Sequence, residues 1–254
     1  MRALMVILLT LVCAFSAQAE EEVVAGLSQA RVAITADFAG SEILVFGAVK
    51  RTAPIPEGPP LQVIVTVSGP HEPVVVRRKS RRFGIWVNTS SVEVDSAASF
   101  YAIATTAPLN EVLSHTDDLR HKISIPQMIR SVGAPKDVPD AEAFTEALIR
   151  VRENTGRYVM NETGVTLSED TLFRSAIALP ANLTEGMYST RIFLTRDGNV
   201  IDTYETILDV NMVGFERWAF NLAHQQPLIY GILSLIIAIS AGWTASAVFR
   251  YIRG

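Results

Sequence analysis

The chain has 254 residues, and its 22 basic and 26 acidic side chains give a formal net charge of −4. That length is sufficient for a folded domain with its own core, so no disulfide framework is needed. The acidic balance argues against a nucleic-acid-binding protein. The single cysteine, Cys13, excludes a disulfide scaffold and a thiolate metal site.

The N-terminus is typical of a secretory signal peptide. Arg2 precedes an apolar segment at 3–15, and the tripeptide at 17–19 has the small-x-small cleavage pattern. The apolar part is short for a membrane span, although an uncleaved second anchor is the alternative. We expect a signal peptide at 1–19 and a mature, cysteine-free chain that is exported from the cytoplasm.

The C-terminal segment at 228–249 contains no charged side chain and is followed by Arg250 and Arg253. A helix of that length matches the hydrocarbon core of a bilayer, about 30 Å thick. The two arginines indicate that this end is cytoplasmic. We expect a transmembrane helix at 227–249 and a cytoplasmic tail at 250–254. The protein would then cross the bacterial inner membrane once, with its N-terminal domain in the periplasm.

Two segments carry strand patterns. In the segment 20–108, alternating apolar runs separated by Gly and Pro turns predict strands at 32–38, 43–49, 61–67, 74–76, 84–87, 92–94 and 100–104. In the segment 158–214, alternating runs flank Asp197-Gly198, a dipeptide typical of a tight hairpin. These patterns predict an immunoglobulin-like antiparallel β-sandwich, built from one segment or from both.

The immunoglobulin likeness depends on the sequence before this hairpin. Tyr188 follows Gly186 by two residues, a position from which the tyrosine of such a corner packs back on its own turn. The Cys-Trp-Cys signature of antibody domains is absent, so the likeness concerns topology alone. We expect Trp86 in the core because large aromatic side chains dominate buried area, with a binding surface as the alternative.

Residues 109–157 read as a small helical insertion. Asp140 is a good N-cap, Gly156 a natural stop, and the apolar stripe between them comprises Phe144, Ala147, Leu148 and Val151. A second helix is expected at 124–132. In the juxtamembrane segment 215–226, Phe215, Trp218 and Leu222 fall on one apolar side, which predicts a short helix in the headgroup layer. A continuous extension of the membrane helix is the alternative.

A basic run lies at 77–82, and its five cations are Arg77, Arg78, Lys79, Arg81 and Arg82. This concentration of positive charge in an acidic domain leaves three functional interpretations. The run contacts anionic headgroups, binds a small anion such as sulfate, or docks to an acidic partner. A solvated hairpin end is the structural alternative.

The segment 115–121 is the densest set of possible metal ligands, with His115, Asp117, Asp118 and His121. If it is helical, Asp117 and His121 share a face, while His115 points elsewhere. Zinc needs three or four converging ligands, and no fourth ligand is evident. We therefore interpret the segment as a solvated loop or helix start and expect no metal.

The membrane helix carries small residues at a regular spacing. They are Gly231, Ser234, Ala238, Gly242 and Ser246. Small residues four apart allow two helix backbones to approach closely within lipid. Because small residues are common in such helices, this face is either a packing surface for a partner helix or background composition.

Several short motifs are spread over the mature chain. They are Val-Val-Ala-Gly-Leu-Ser at 23–28, Gly-Ile-Trp-Val-Asn at 84–88, Gly-Met-Tyr at 186–188, Pro-Leu-Ile-Tyr-Gly at 227–231, Ala-Gly-Trp at 241–243 and Phe-Arg at 249–250. In these motifs the sequence resembles a family of bacterial envelope proteins with one membrane span, known chiefly from alphaproteobacteria. The resemblance implies a transport-related accessory role, because the family's genes often neighbour sulfite-exporter-like permeases. It implies no catalytic residues.

These patterns predict a membrane-anchored accessory or scaffold protein that is not an enzyme and uses no cofactor. The expected partners are the lipid bilayer and an inner-membrane protein such as a sulfite-exporter-like permease, or a second copy of the chain. Two alternatives remain open. One is a small-anion-binding module at 77–82, and the other is a metal-dependent hydrolase built on 115–121.

Overall fold

The computed structural model describes residues 21–35, 37–55, 58–131 and 140–253, with side chains throughout except at 215–217 and 250–253. The fold is mainly β, with several antiparallel sheets and one long apolar C-terminal helix, which confirms the predicted class. The predicted signal peptide at 1–19 lies outside the described residues.

The strands of the described residues form two sheets and a separate hairpin. A four-stranded sheet has the order β1-β3-β10-β9, a six-stranded sheet has the order β2-β12-β11-β4-β7-β8, and β5 pairs with β6. The strands are β1 (Glu21–Leu27), β2 (Arg31–Ile34), β3 (Ser41–Arg51), β4 (Gln62–Ser68), β5 (His71–Arg82), β6 (Ile85–Ala98), β7 (Tyr101–Thr105), β8 (Tyr158–Glu162), β9 (Val165–Ser168), β10 (Leu172–Leu179), β11 (Gly186–Arg196) and β12 (Asn199–Met212).

The two β segments of the sequence form one sandwich. Strand β3 pairs with β10, and β4 pairs with β11, so each sheet contains strands from both segments. The pairs β2–β12 and β7–β8 are parallel, and the others are antiparallel. The immunoglobulin likeness stays a prediction, but its local element is confirmed, because the hydroxyl of Tyr188 donates to the carbonyl oxygen of Thr184 at 2.8 Å.

The core has two parts, one on each side of the six-stranded sheet. Between the sheets, side chains of one face of β3 and β10, such as Ile43 and Phe173, pack against Val65 and Ile192 of the six-stranded sheet. The alternation of buried and exposed side chains along β10 is complete. On the other face of the six-stranded sheet, helices cover side chains that include Phe193. The central strand β4 is therefore buried on both faces.

The helices are α1 (Leu109–Val112), α2 (His115–His121), α3 (Ile125–Met128), α4 (Ala141–Asn154), α5 (Phe215–Gln225) and α6 (Pro227–Arg253). Helix α4 begins after Asp140 and is followed by Gly156, which has a φ of +68°. The predicted apolar stripe of α4 is correct except in the last turn of the helix. There Val151 is exposed, and Arg152 is buried in its place.

The second predicted helix, at 124–132, is shorter than expected. It ends at Met128, and Ile129 is extended. The physical reason is the next residue, because the backbone of Arg130 exchanges two hydrogen bonds with that of Ser96 in β6. Residue 132 lies outside the described residues.

The hairpin β5–β6, here called the arm, continues the ladder between β4 and β7. Beyond Ser68, the last residue of β4, the N–H of Gly69 donates to the carbonyl of Phe100 at 2.8 Å. The N–H of Ser99 donates to the carbonyl of Pro70 at 2.7 Å. The two strand pairs therefore form one ribbon, which two register shifts interrupt within the arm. The strands predicted at 84–87 and 92–94 are in fact one strand, β6.

Candidate functional site

The basic run lies in the outer half of the arm. Along β5 it pairs with the outer half of β6, from Arg77 opposite Ser91 to Arg82 opposite Ile85. The turn of the hairpin is Phe83-Gly84, whose φ values of 50° and 85° fit a tight two-residue turn. The cations are therefore fixed along a strand and do not form a flexible loop end.

One of the five cations is held by the helical insertion. Nη2 of Arg78 lies 2.7 Å from Oδ2 of Asp140, and its guanidinium lies 4.4 Å from the ring centroid of Phe144 in α4. The hydrogen bond from Arg78 lowers the pKa of the Asp140 carboxyl. Asp140 does not cap α4 with its side chain as predicted, because this ion pair uses its carboxylate.

The other four cations of the run, Arg77, Lys79, Arg81 and Arg82, are exposed. Among the described residues no carboxylate forms an ion pair with any of them. Nε of Arg81 donates to the carbonyl of Gly84 at 3.3 Å, which leaves the charge of its guanidinium available to solvent. The arm thus carries uncompensated positive charge at its outer end.

The tip of the arm is apolar and exposed. Phe83 is fully exposed, Trp86 is 69% exposed, and Ile85 is 64% exposed. The prediction that Trp86 lies in the core is wrong, because the residue sits next to the hairpin turn, where no other layer covers the strand. The sequence could have indicated that this tip is exposed. Phe83-Gly84 joins two segments with strand patterns, and residues in such turns are normally exposed.

The side chains proposed as metal ligands at 115–121 have structural roles. Oδ2 of the buried Asp117 accepts from the N–H of Val200 at 2.7 Å, and Oδ1 lies 3.1 Å from a guanidinium nitrogen of Arg120. Oδ1 of Asp118 accepts from the N–H groups of Ile123 and Ser124 at 3.1 and 2.7 Å.

The two histidines of this segment do not join these carboxylates. His115 is exposed, and the ring of His121 packs edge-on against Phe193, with 5.7 Å between the ring centroids. Within the described parts of the chain, no three His, Cys, Asp or Glu side chains are placed to hold a metal ion.

Helix α6 is the one helix in the described residues that is long and apolar enough to cross a membrane, at Pro227–Phe249. The other described residues bury none of this span. The five small residues predicted as a packing face, Gly231, Ser234, Ala238, Gly242 and Ser246, are all exposed. A Cβ atom added at Gly231 or Gly242 would lie within 4 Å of no atom in the part of the chain that the structure describes, apart from the neighbouring backbone of its own helix.

The juxtamembrane helix α5 is separate from α6, so the continuous extension is wrong. The helical conformation is interrupted at Gln226, whose φ and ψ of −137° and 63° are not helical. The next helix begins at Pro227. On the predicted apolar side of α5, Trp218 is half exposed, and the side chain of Phe215 lies outside the described ones. The position of α5 in the headgroup layer stays a prediction.

Comparison with solved structures gives a weak likeness to the sporulation control protein Spo0M from Bacillus subtilis, at 9% sequence identity and a TM-score of 0.29. That match covers 81% of this chain and 55% of the Spo0M chain. None of the curated proteins matches the sequence. A family model described as "Putative transmembrane protein (Alph_Pro_TM)" matches residues 22–251, nearly the whole chain, and the protein therefore belongs to that family.

Proposed function

We propose that this protein is a non-enzymatic accessory or scaffold protein, tethered to the bacterial inner membrane with its β-rich domain in the periplasm. The observation that carries the proposal is α6, an apolar helix with none of its span buried, attached to a domain that buries its own core. An exposed apolar surface of this kind is stable only in lipid or against another apolar helix. Arg250 and Arg253 after the span support a cytoplasmic C-terminus.

The partner we propose is a second membrane helix, in an inner-membrane permease of the sulfite-exporter kind or in another copy of the chain. The small residues of α6 support close helix–helix contact, because no other described residue covers them. Tethering keeps the domain at high local concentration beside this partner, which strengthens contacts that are individually weak.

The experiment that tests the partner is crosslinking in native membranes followed by co-purification. Ala238→Leu with Gly242→Leu adds bulk on the small-residue face and should abolish recovery of the partner. Ser240→Leu with Ala247→Leu is the matched control, because these positions lie on the opposite side of the helix and receive similar bulk. Equal recovery with both double variants would contradict the proposal.

The orientation has its own test. In spheroplasts, an added protease should remove the β-rich domain and leave α6 in the membrane. Protection of the domain in spheroplasts, combined with cleavage in inverted vesicles, would place it in the cytoplasm and overturn the periplasmic assignment.

A small-anion site at the basic run has less support in the geometry. Arg77, Lys79 and Arg81 alternate along one strand, and residues two apart on a strand are separated by about 7 Å. Such a row presents charge to an extended surface and does not enclose one ion. Calorimetry of the detergent-solubilised chain with sulfate and sulfite at low salt should therefore show no saturable heat.

A further inference from the structure

The arm leaves the six-stranded sheet at the same edge as the membrane anchor. Strands β4 and β12 are both antiparallel to β11, so they run in the same direction. Strand β4 continues through Gly69 and Pro70 into the arm, and β12 continues through Val213 and Gly214 into α5 and α6. The two extensions therefore start from one end of the sandwich.

The arm is also long enough to extend beyond the point where β12 ends. Ser68 of β4 and Ile207 of β12 are at the same level, because both pair with Ser189. From Ser68 to Arg82 the extended chain covers about 46 Å, whereas from Ile207 to Met212 it covers about 16 Å. The arm is therefore long enough for its tip to reach beyond the last residue of the sheet on the anchor side.

The outer end of the arm combines the two properties that favour an anionic membrane surface. Its exposed apolar residues, Phe83, Ile85 and Trp86, are of the types that enter the headgroup region. Next to them, Arg77, Lys79, Arg81 and Arg82 are exposed and without ion pairs among the described residues. Each cation close to an anionic leaflet contributes about 1 kcal/mol of attraction.

The charge of the arm is opposite in sign to that of the rest of the domain. The rest of the domain is acidic. An anionic leaflet therefore attracts the basic arm and repels the remainder of the domain. Arg78 pairs with Asp140, and its guanidinium lies over the ring of Phe144. This cation therefore connects the arm to α4, and the other four cations of the run are left to face a leaflet.

We propose that the tip of the arm is a second membrane contact, which inserts Phe83, Ile85 and Trp86 into the headgroup layer of an anionic leaflet of the same bilayer that α6 crosses. This inference rests on the proposed membrane tethering. Because α6 holds the arm near the bilayer, even a weak interaction of the tip is strengthened by effective concentration. Two contacts instead of one would fix the orientation of the sandwich on the membrane.

The test uses the full chain in lipid nanodiscs, with Cys13→Ser so that one introduced thiol carries an environment-sensitive fluorophore at Phe83→Cys. In nanodiscs that contain phosphatidylglycerol, the emission should shift to shorter wavelength, and quenching by aqueous iodide should fall several-fold. In nanodiscs of phosphatidylcholine alone, or at high salt, the probe should behave as in water, because the attraction is electrostatic.

Two controls match this measurement. The same fluorophore at Asn199→Cys, which directly follows the Asp197-Gly198 turn at the opposite end of the sandwich, should remain in water in every lipid. The triple variant Arg77→Glu, Lys79→Glu, Arg81→Glu leaves Arg78 and its ion pair in place, and it should abolish the spectral shift. The corresponding triple glutamine variant removes charge without reversing it and should weaken the shift.

The outcomes distinguish this inference from the tethering on which it rests. A probe at position 83 that stays aqueous in anionic nanodiscs, while the chain remains incorporated, would overturn the inference alone. A shift of equal size in neutral lipid, or in the triple glutamate variant, would also overturn it. A chain that fails to enter nanodiscs would overturn both proposals.

Discussion

The carboxylate of Glu21 accepts a hydrogen bond from Nε of Arg51 at 2.7 Å, with only 3% and 9% of the two side chains exposed. Its second oxygen lies 2.9 Å from a guanidinium nitrogen of Arg196. This buried carboxylate thus joins three strands from distant parts of the sequence, β1, β3 and β11. It stabilises the first strand of the described chain against both sheets.

Replacing Glu21 by alanine should destabilise the protein by about 3 kcal/mol, because two mostly buried guanidinium groups would lose their counter-charge. Urea denaturation of the detergent-solubilised chain measures this loss. Glu22→Ala is the matched control, since its ion pair with Lys50 is exposed and should contribute less than about 1 kcal/mol. Equal denaturation midpoints for the two variants would contradict the prediction.

The hydrogen bonds of Asp117 predict a structural role for this carboxylate, whereas the alternative of a metal-dependent hydrolase would make its helix part of a metal site. Asp117→Ala removes the acceptor for the backbone N–H of Val200 and should cost about 1–3 kcal/mol of stability. His115→Ala, at an exposed position of the same helix, should change stability by less than about 0.5 kcal/mol. A stoichiometric metal that is lost on His121→Ala would instead support the hydrolase.

The burial of Tyr158 predicts that the free energy of unfolding decreases at alkaline pH. Its hydroxyl donates to the carbonyl of Ala98 at 3.0 Å, and burial raises its pKa to about 12, opposed by the nearby Arg152. Because the pKa is higher in the folded state, the stabilising effect is complete below about pH 10 and is lost as the pH rises toward 12.

The matching experiment compares urea midpoints of the wild type and Tyr158→Phe between about pH 9 and pH 11.5. The wild type should lose stability more steeply over this window. Tyr101 and Tyr188, whose pKa values burial also raises, are present in both proteins, so the difference between the two profiles reports Tyr158 together with its electrostatic interaction with Tyr101. Parallel pH profiles would show that Tyr158 titrates normally in the fold.

A substitution at Gly47 tests how closely the neighbouring strands of the four-stranded sheet approach this residue. A Cβ atom at this position would lie 2.6 Å from the ring of Phe173 and 2.6 Å from the carbonyl oxygen of Val24. Gly47→Ala should therefore destabilise the protein by roughly 1–3 kcal/mol. Gly26→Ala on the neighbouring strand is the control, because its Cβ would meet only the ring of Phe46, at 3.6 Å, and should be tolerated.

Local patterns predicted local structure well. The turn Asp197-Gly198 joins β11 to β12, and both residues have positive φ, as this dipeptide indicates. Helix α4 and the hydrogen bond of Tyr188 follow the same rule, because the residues that determine them are adjacent in sequence. The apolar span of α6 is equally local, since its length and composition alone indicate it.

Long-range features were less accessible to sequence reasoning. The aromatic character of Trp86 favoured the core, yet its burial depends on whether another layer lies over the arm, which no neighbouring residue specifies. Likewise, Arg152 takes the buried position in the last turn of α4 because its guanidinium donates to the carbonyl of Ala98 in β6. The prediction for Arg152 failed because its contact joins residues more than fifty positions apart. The prediction for Trp86 failed because the covering layer that it assumed does not lie over the arm.

The strand that leads to the membrane, β12, lies between β2 and β11 and is hydrogen-bonded to both. Tension on α6 would reach the sandwich through the end of this strand, and the component of the force along the strand axis would load the strand in shear. Bonds between strands run across that axis, so they would resist such a pull together and would not open one after another. The sandwich is thus connected to its membrane helix through a strand whose bonds on both sides share the mechanical load.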